Sequence, residues 1–172
     1  MLKRIFIWWV PKLNSEERKL IDDYLDDAGK FLFSQMSKAD QRHSLAVAQM
    51  IINQAAYLRG VKIKALVKAA LLHDIGKIEG DFNWLSKLLV GLIRRVSPTL
   101  RGKLAITSPG TFWEKVKYGC YVDLIHPARG AHMAKVFGVD PAVVEMIRRH
   151  HDPPRESQSP ELTWLQTADS KN

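Results

Sequence analysis

The 172-residue sequence predicts an all-α fold, a single-domain helical bundle with an inserted lid-like segment. Three observations point there. Apolar residues recur at three- and four-residue spacing along most of the chain, strand-type alternation never persists, and no internal repeat or low-complexity tract interrupts the pattern. A chain of this length buries a core without disulfide or metal staples.

The first helix starts at Asn14, a capping residue with Glu17 three positions on. Leu20, Ile21, Tyr24, Leu25, Ala28 and Leu32 then repeat at helical spacing. A second helix is expected from near Asp40, carrying His43, Val47, Met50, Ile51, Gln54 and Leu58 along one side until Gly60 ends it. The third, from about Lys62, is rich in Ala and Leu and runs into His73 and Asp74. Three later helices are signalled by a capping residue before a proline, whose missing N–H costs nothing in the first helical turn: His126-Pro127, Asp140-Pro141 and Ser159-Pro160. Gly138 is the expected stop of the first of these. Between Glu79 and Tyr121 the pattern weakens. Trp84 to Val96 fits an amphipathic helix, but Ser97-Pro98 and Ser108-Pro109-Gly110 break the chain beyond it. The expected organisation is therefore an N-terminal segment and helix, 1–37, packed on a main domain, 38–172, with an insertion at about 79–121.

Charge and composition narrow the function. Twenty-six Lys and Arg against 18 Asp and Glu give a formal net charge of +8, which favours an anionic partner. The excess is uneven: between Trp84 and Lys117 the basic residues Lys87, Arg94, Arg95, Arg101, Lys103, Lys115 and Lys117 face only Glu114. The single cysteine, Cys120, gives no intramolecular disulfide and no Cys-based zinc site, which fits a reducing cytoplasm. The run Ile5-Phe6-Ile7-Trp8-Trp9-Val10 follows two basic residues and is stopped by Pro11. It is too short for a signal-peptide core and reads as a segment packed on the domain. Contact with a membrane surface through its two Trp is the alternative. Oligomeric state is not legible.

His73 and Asp74 are adjacent at a predicted helix end, followed by Ile75-Gly76-Lys77. An isolated His-Asp pair means little, but five of the six histidines fall where they can be brought together with two aspartates, and only His132 is left over. Asp169 lies four residues after Leu165 and seven after Leu162, so it shares their inward face, where an unpaired carboxylate is costly and a metal would relieve the cost. His150 and His151 end a helix whose Val143, Val144 and Ile147 face the core. For any one of these histidines a hydrogen-bonded core or surface role is the simpler reading; for the whole set, a metal site is. His132, six residues after His126, is turned away by about 240° and is expected outside it.

The order His43, His73-Asp74, Asp169 resembles the H…HD…D signature of the HD-domain metal-dependent phosphohydrolases, and His73-Asp74-Ile75-Gly76-Lys77 is similar to their HDIG(K) variant. The resemblance covers about Asp40 to Asp169. It implies an HD-type bundle in which His43, His73, Asp74 and Asp169 bind one metal and Asp74 bridges to a second. His126 and the His150-His151 pair resemble the further histidines of the binuclear subgroup, which includes HD-GYP phosphodiesterases and YqeK-type hydrolases, so they are implied to hold the second metal. Lys77 stands where relatives place a lysine near the substrate phosphate. Two departures matter. Asp152-Pro153-Pro154 follows the histidine pair without the glutamate and Gly-Tyr-Pro segment of HD-GYP proteins, which argues against cyclic di-GMP. Ala39 stands where trinuclear relatives carry glutamate, which argues for two metals.

Mixed imidazole and carboxylate ligands suit two divalent transition-metal ions, Fe or Mn ahead of Zn, Ni, Co or Mg. Asp74 and Lys77 are the catalytic candidates, and Lys77, Arg129 and Arg149 the candidates for binding substrate phosphate. The leading expectation is hydrolysis of a phosphoester or phosphoanhydride in a nucleotide, dinucleotide or similar small phosphorylated molecule. A non-catalytic metal- or nucleotide-sensing regulatory module is the alternative. A nucleic-acid-binding role for the basic insertion ranks third, because the aromatic-and-basic pattern of an RNA module is missing. Both ends of the insertion are pinned at presumed ligands, so it is expected over the metal site, its basic and aromatic residues forming part of the substrate pocket.

Overall fold

The computed structural model describes residues 13–81, 84–108 and 110–172, the side chains of Trp84 and Pro98 excepted. The N-terminal Trp segment, Phe82 and Pro109 lie outside the described residues. Helices make up the fold: α1 (Ser15–Tyr24), α2 (Asp27–Ser34), α3 (Lys38–Gln54), α4 (Ile63–Leu72), α5 (Trp84–Val96), α6 (Pro98–Leu104), α7 (Phe112–Val136), α8 (Pro141–Arg149) and α9 (Pro160–Lys171). Among the described residues there is no strand, only an isolated bridge between Met36 and Ile78.

The centre is α4. Its sequence of small and aliphatic residues lets neighbours approach from all sides, and Leu66, Val67, Ala69, Ala70, Leu71 and Leu72 are all buried. It packs against α3, α8 and α9, with α1 and α2 covering its remaining flank. The core continues through Leu32, Met36, Ile51, Ile147 and Leu165, each less than 2% exposed. Burying side chains of this size contributes roughly 1.5–3 kcal/mol each. A second, smaller cluster of Val90, Val116 and Cys120, flanked by Leu89, Ile93, Leu104 and Ala105, lies where α5 and α6 pack on the N-terminal part of α7. The stretch expected as an insertion is thus a helical satellite.

Several boundaries differ from expectation for identifiable reasons. The helix from Asn14 has its capping box with Glu17, but it stops at Tyr24. Leu25 is extended, and the Asp26 side chain accepts from Gly29 N at 2.8 Å to start α2. Leu25 and Leu32 are both buried, so the apolar spacing runs across the break and hides it. The second helix starts at Lys38 on a Ser37 cap, near Asp40 as expected, but ends at Gln54 in a 3-10 turn, Ala55–Tyr57; Leu58 is buried beyond it and Gly60 takes φ +73°. Asp140-Pro141 and Ser159-Pro160 start α8 and α9 as expected.

His126-Pro127 does not start a helix. The 25-residue α7 begins instead at a Thr111–Glu114 capping box and runs straight through Pro127. A proline inside a helix removes one backbone hydrogen bond, and here the carbonyl that loses its donor, Asp123 O, accepts the His126 ring Nδ1–H at 2.9 Å instead. The expected stop at Gly138 is present, with φ +74° following the Phe137 cap.

The break at Leu25 depends on one side chain, which also pairs with Lys68 on α4 at 2.7 Å. Asp26→Ala is expected to cost about 1 kcal/mol by loss of the cap. This should lower Tm by roughly 2–4 °C in a thermal melt, with the helical circular dichroism signal kept.

Candidate metal centre

All seven residues singled out as ligands meet at one place. His43 comes from the middle of α3, His73 and Asp74 from the end of α4, His126 from α7, His150 and His151 from the end of α8, and Asp169 from α9. Three overlapping groups have ligand atoms close enough to hold a metal ion: His43, His73 and Asp169; His126, His150 and His151; and His73, Asp74 and His150. His132, by contrast, is exposed.

Three of the five imidazoles are aimed by the same local device. His73 Nδ1 donates to Ala70 O at 2.8 Å, His126 Nδ1 to Asp123 O at 2.9 Å and His150 Nδ1 to Ile147 O at 2.7 Å. Each acceptor lies three residues earlier. The last turns of α4 and α8 leave carbonyls without helical donors, and Pro127 frees one inside α7. A backbone carbonyl can only accept, so Nδ1 must carry the proton and each Nε2 presents a bare lone pair.

The Nε2 atoms are turned toward one another and toward the carboxylates. His73 Nε2 is buried with no hydrogen-bond partner. His126 Nε2 and His150 Nε2 face each other at 3.2 Å, lone pair against lone pair. Protonation does not relieve this contact: burial drives the His126 pKa down to about 4 and holds that of His150 well below its ordinary value. His43, also lowered by burial, meets Asp169 Oδ1 at 2.8 Å. The converging Nε2 atoms of His73, His126 and His150, each ring held by its Nδ1–H on a backbone carbonyl, fit a Lewis acid, which is how buried polar atoms of this kind are otherwise satisfied.

Two carboxylates stand between the histidines. Asp74 Oδ1 is 3.2 Å from His126 Nε2 and 3.8 Å from His150 Nε2, while Oδ2 is 3.7 Å from His73 Nε2. Asp169 turns Oδ1 toward His43 and His73, at 2.8 and 3.7 Å, and Oδ2 toward His151 at 3.7 Å. Burial opposes both charges, but the Lys77 ammonium keeps the Asp74 pKa well below the carboxylate range, and the neighbouring His151 and His43 do the same for Asp169. Lys77 Nζ lies 2.7 Å from Asp74 Oδ1 and 2.8 Å from Oδ2; burial lowers its pKa and Asp74 more than restores it. His151, with 28% of its side chain exposed, is the open edge of the group.

Gly76 brings the turn of Asp74 against α7. A Cβ at this position would meet His126 O at 2.1 Å and Gly130 N at 2.8 Å, and one at Gly130 would meet Gly76 N at 3.1 Å. Two glycines back to back therefore hold Asp74 within reach of His126.

The other basic candidates are differently placed. Arg129 pairs with Asp81 at 2.8 Å, and Arg149 with Asp152 at 3.2 Å and Glu145 at 3.7 Å. In the satellite, Lys87 reaches Asp40 at 2.5 Å, and Arg101 and Arg94 reach Asp123 at 2.6 and 3.5 Å. Lys87, Arg94 and Arg101, expected to attract phosphate, are thus tied to carboxylates and brace the satellite against α3 and α7. Asp123 was missed in the sequence, although its carboxylate anchors these arginines and its carbonyl orients His126. The Pro127 that frees the carbonyl was the available signal. Asp40, buried beside the helix cap of α3, was missed too.

Comparison with known families agrees with this geometry. The HD domain family model matches residues 41–95, roughly a third of the chain, spanning His43 and the His73-Asp74 pair. Over that stretch the chain is similar to the HD domain. Neither the curated proteins nor the solved structures return a match.

Two substitutions probe the orienting devices. Gly76→Ala must push the α4 turn away from α7 and is expected to destabilise by about 1–3 kcal/mol, with a matching loss of bound metal measured by elemental analysis. Pro127→Ala restores a backbone donor to Asp123 O in competition with His126. It is expected to raise the Tm of metal-free protein and yet weaken metal affinity roughly tenfold in a chelator competition. Unchanged affinity there would show that the carbonyl does not aim His126.

Proposed function

We propose that the chain is an HD-type metal-dependent phosphohydrolase that cleaves a phosphoester or phosphoanhydride bond in a nucleotide, dinucleotide or similar small phosphorylated molecule through a binuclear centre. The contact that carries the reading is His126 Nε2 against His150 Nε2 at 3.2 Å, both protons held on the far side of the rings by backbone carbonyls. His43, His73 and Asp169 would hold one ion and His126, His150 and His151 the other, with Asp74 between them. The divided reach of the Asp169 oxygens supports giving it a share in both. Imidazole with carboxylate favours Fe or Mn. Such ions supply an acidified water and charge neutralisation for in-line attack on phosphorus.

The chain's own groups do the rest. Carbonyl-fixed imidazoles keep the ligand atoms in place without rearrangement. Lys77 holds a positive charge beside Asp74, where it offsets charge gathering on the phosphate oxygens. The 28% exposure of His151 makes its edge the side from which a phosphate approaches.

The test is metal analysis of the purified protein with a screen against nucleotides, dinucleoside polyphosphates, cyclic dinucleotides and bis-p-nitrophenyl phosphate. Asp74→Ala is expected to lose bound metal and to lower kcat by at least about a thousandfold, with the helical signal kept, whereas His132→Ala keeps both. Full activity in Asp74→Ala would remove the hydrolase from this site. Nucleotide binding without turnover in metal-loaded wild type would leave a sensor.

A further inference from the structure

The satellite has an apolar face with no use inside the molecule. One side of α5 is spent on packing, with Ser86 buried and Val90 packed in the cluster of Val116 and Cys120. The opposite side carries Leu88, Leu92 and Val96 at successive helical turns, and these are 49%, 53% and 73% exposed. Leu100 on α6 and Phe112 and Trp113 at the start of α7 add to the exposed set. Among the described residues, six of the eleven exposed large hydrophobic side chains fall between 88 and 113. A helix apolar on two faces requires two apolar surroundings, and such a concentration marks an interaction surface.

Charge selects the occupant. Seven basic residues and one acid lie between Trp84 and Lys117, and that acid, Glu114, is engaged in the Thr111 capping box. Lys87, Arg94 and Arg101 are turned inward to Asp40 and Asp123, while Arg95, Lys103, Lys115 and Lys117 are exposed cations of the same satellite. A second copy docked on the same face would set two lysine-rich rims against each other, a like-charge arrangement that costs affinity. Aliphatic residues at helical spacing, an exposed Trp beside a Phe and a rim of lysines suit an interface between acyl chains and anionic headgroups. By sequence alone, Lys3 and Arg4 followed by Ile5-Phe6-Ile7-Trp8-Trp9-Val10 and Lys12 repeat that chemistry. No helix of the described residues is long and apolar enough to cross a membrane, so the contact is with its surface.

We propose that the outer face of α5 and α6, with Phe112 and Trp113, binds the surface of an anionic lipid bilayer. The contact is independent of the reaction at the metal centre, since none of its residues belongs to that centre.

Full-length, metal-loaded protein sedimented with phosphatidylcholine vesicles, with and without phosphatidylglycerol, tests this directly. Wild type is expected to partition onto the anionic vesicles at least tenfold more strongly, and to be released by salt. Leu88→Ser with Leu92→Ser should reduce that partition roughly tenfold. Lys115→Glu with Lys117→Glu should reduce it about fivefold per lysine. All these side chains are exposed, so metal content and hydrolysis of the generic diester should stay at wild-type values. Equal partition onto both vesicle types, or none, overturns the proposal. So does binding that survives both double variants and is lost in Trp8→Ser with Trp9→Ser, which assigns the surface to the N-terminal segment. Sedimentation velocity supplies the remaining outcome: a wild-type dimer that Leu88→Ser with Leu92→Ser turns into a monomer makes a second copy the occupant instead.

Discussion

The hydrogen bond from a histidine Nδ1 to the backbone carbonyl three residues before it is the constraint on which the rest of the centre depends. It occurs at His73, His126 and His150, and each time it needs a carbonyl that the helix itself does not use. The C-terminal turns of α4 and α8 supply two. The third comes from a proline placed where a helix normally tolerates none, at a cost of about 3 kcal/mol in backbone terms. That cost is offset by what the freed carbonyl does: it fixes the His126 tautomer and ring plane in a buried place that water does not reach. Three elements far apart in sequence thereby present lone pairs, rather than N–H groups, to one point.

Carboxylates survive in this dry region because they are shared. Asp74 is nearly fully buried, but its oxygens are divided between Lys77 and imidazoles on both sides, and Asp169 is likewise split between His43 and His151. Removing one partner of such an arrangement leaves an uncompensated charge, which is far more costly than a broken surface ion pair. The arrangement also requires that α4 and α7 touch closely at the Asp74 turn. Gly76 and Gly130 meet there because a single methyl on Gly76 would overlap the carbonyl of His126 itself. In His73-Asp74-Ile75-Gly76, the two polar residues are thus followed by a glycine whose packing delivers them.

Charge and packing are used differently in the satellite. Its arginines Arg94 and Arg101 converge on Asp123, whose backbone orients His126, so the same residue ties the satellite to the main bundle and serves the centre. Burial pushes the Asp123 carboxyl up, but Arg94, Lys77 and Arg101 hold it below its ordinary range, so the anchor stays charged. The satellite core is small, built on Val90, Val116 and Cys120, and these ion pairs to α7 and α3 add to its attachment. Its outer face is then available to a partner without disturbing the ligands.

By itself the sequence determined the helical class, most helix starts and the set of residues that gather at the centre. Capping at Asn14, Asp140 and Ser159 is local chemistry between residues a few positions apart, and the buried face of α9 follows from periodicity, so neither needs the tertiary structure. Where the reading failed, a local signal had two meanings. A proline after His126 looks like a helix start, and only the packing of α7 along α8 and the satellite makes a continuous helix the better solution. Apolar spacing likewise bridges Leu25, where the choice between one helix and two rests on the Asp26 cap and its pairing with Lys68 on a distant helix. The destination of the basic residues was the least legible of all. Whether an arginine faces a substrate or a carboxylate depends on which acid the fold brings beside it, and Asp40 and Asp123 lie 47 and 29 residues from the cations Lys87 and Arg94 that they hold. Spacing along one helix fixes which side chains share a face, but only the assembled bundle decides what that face meets.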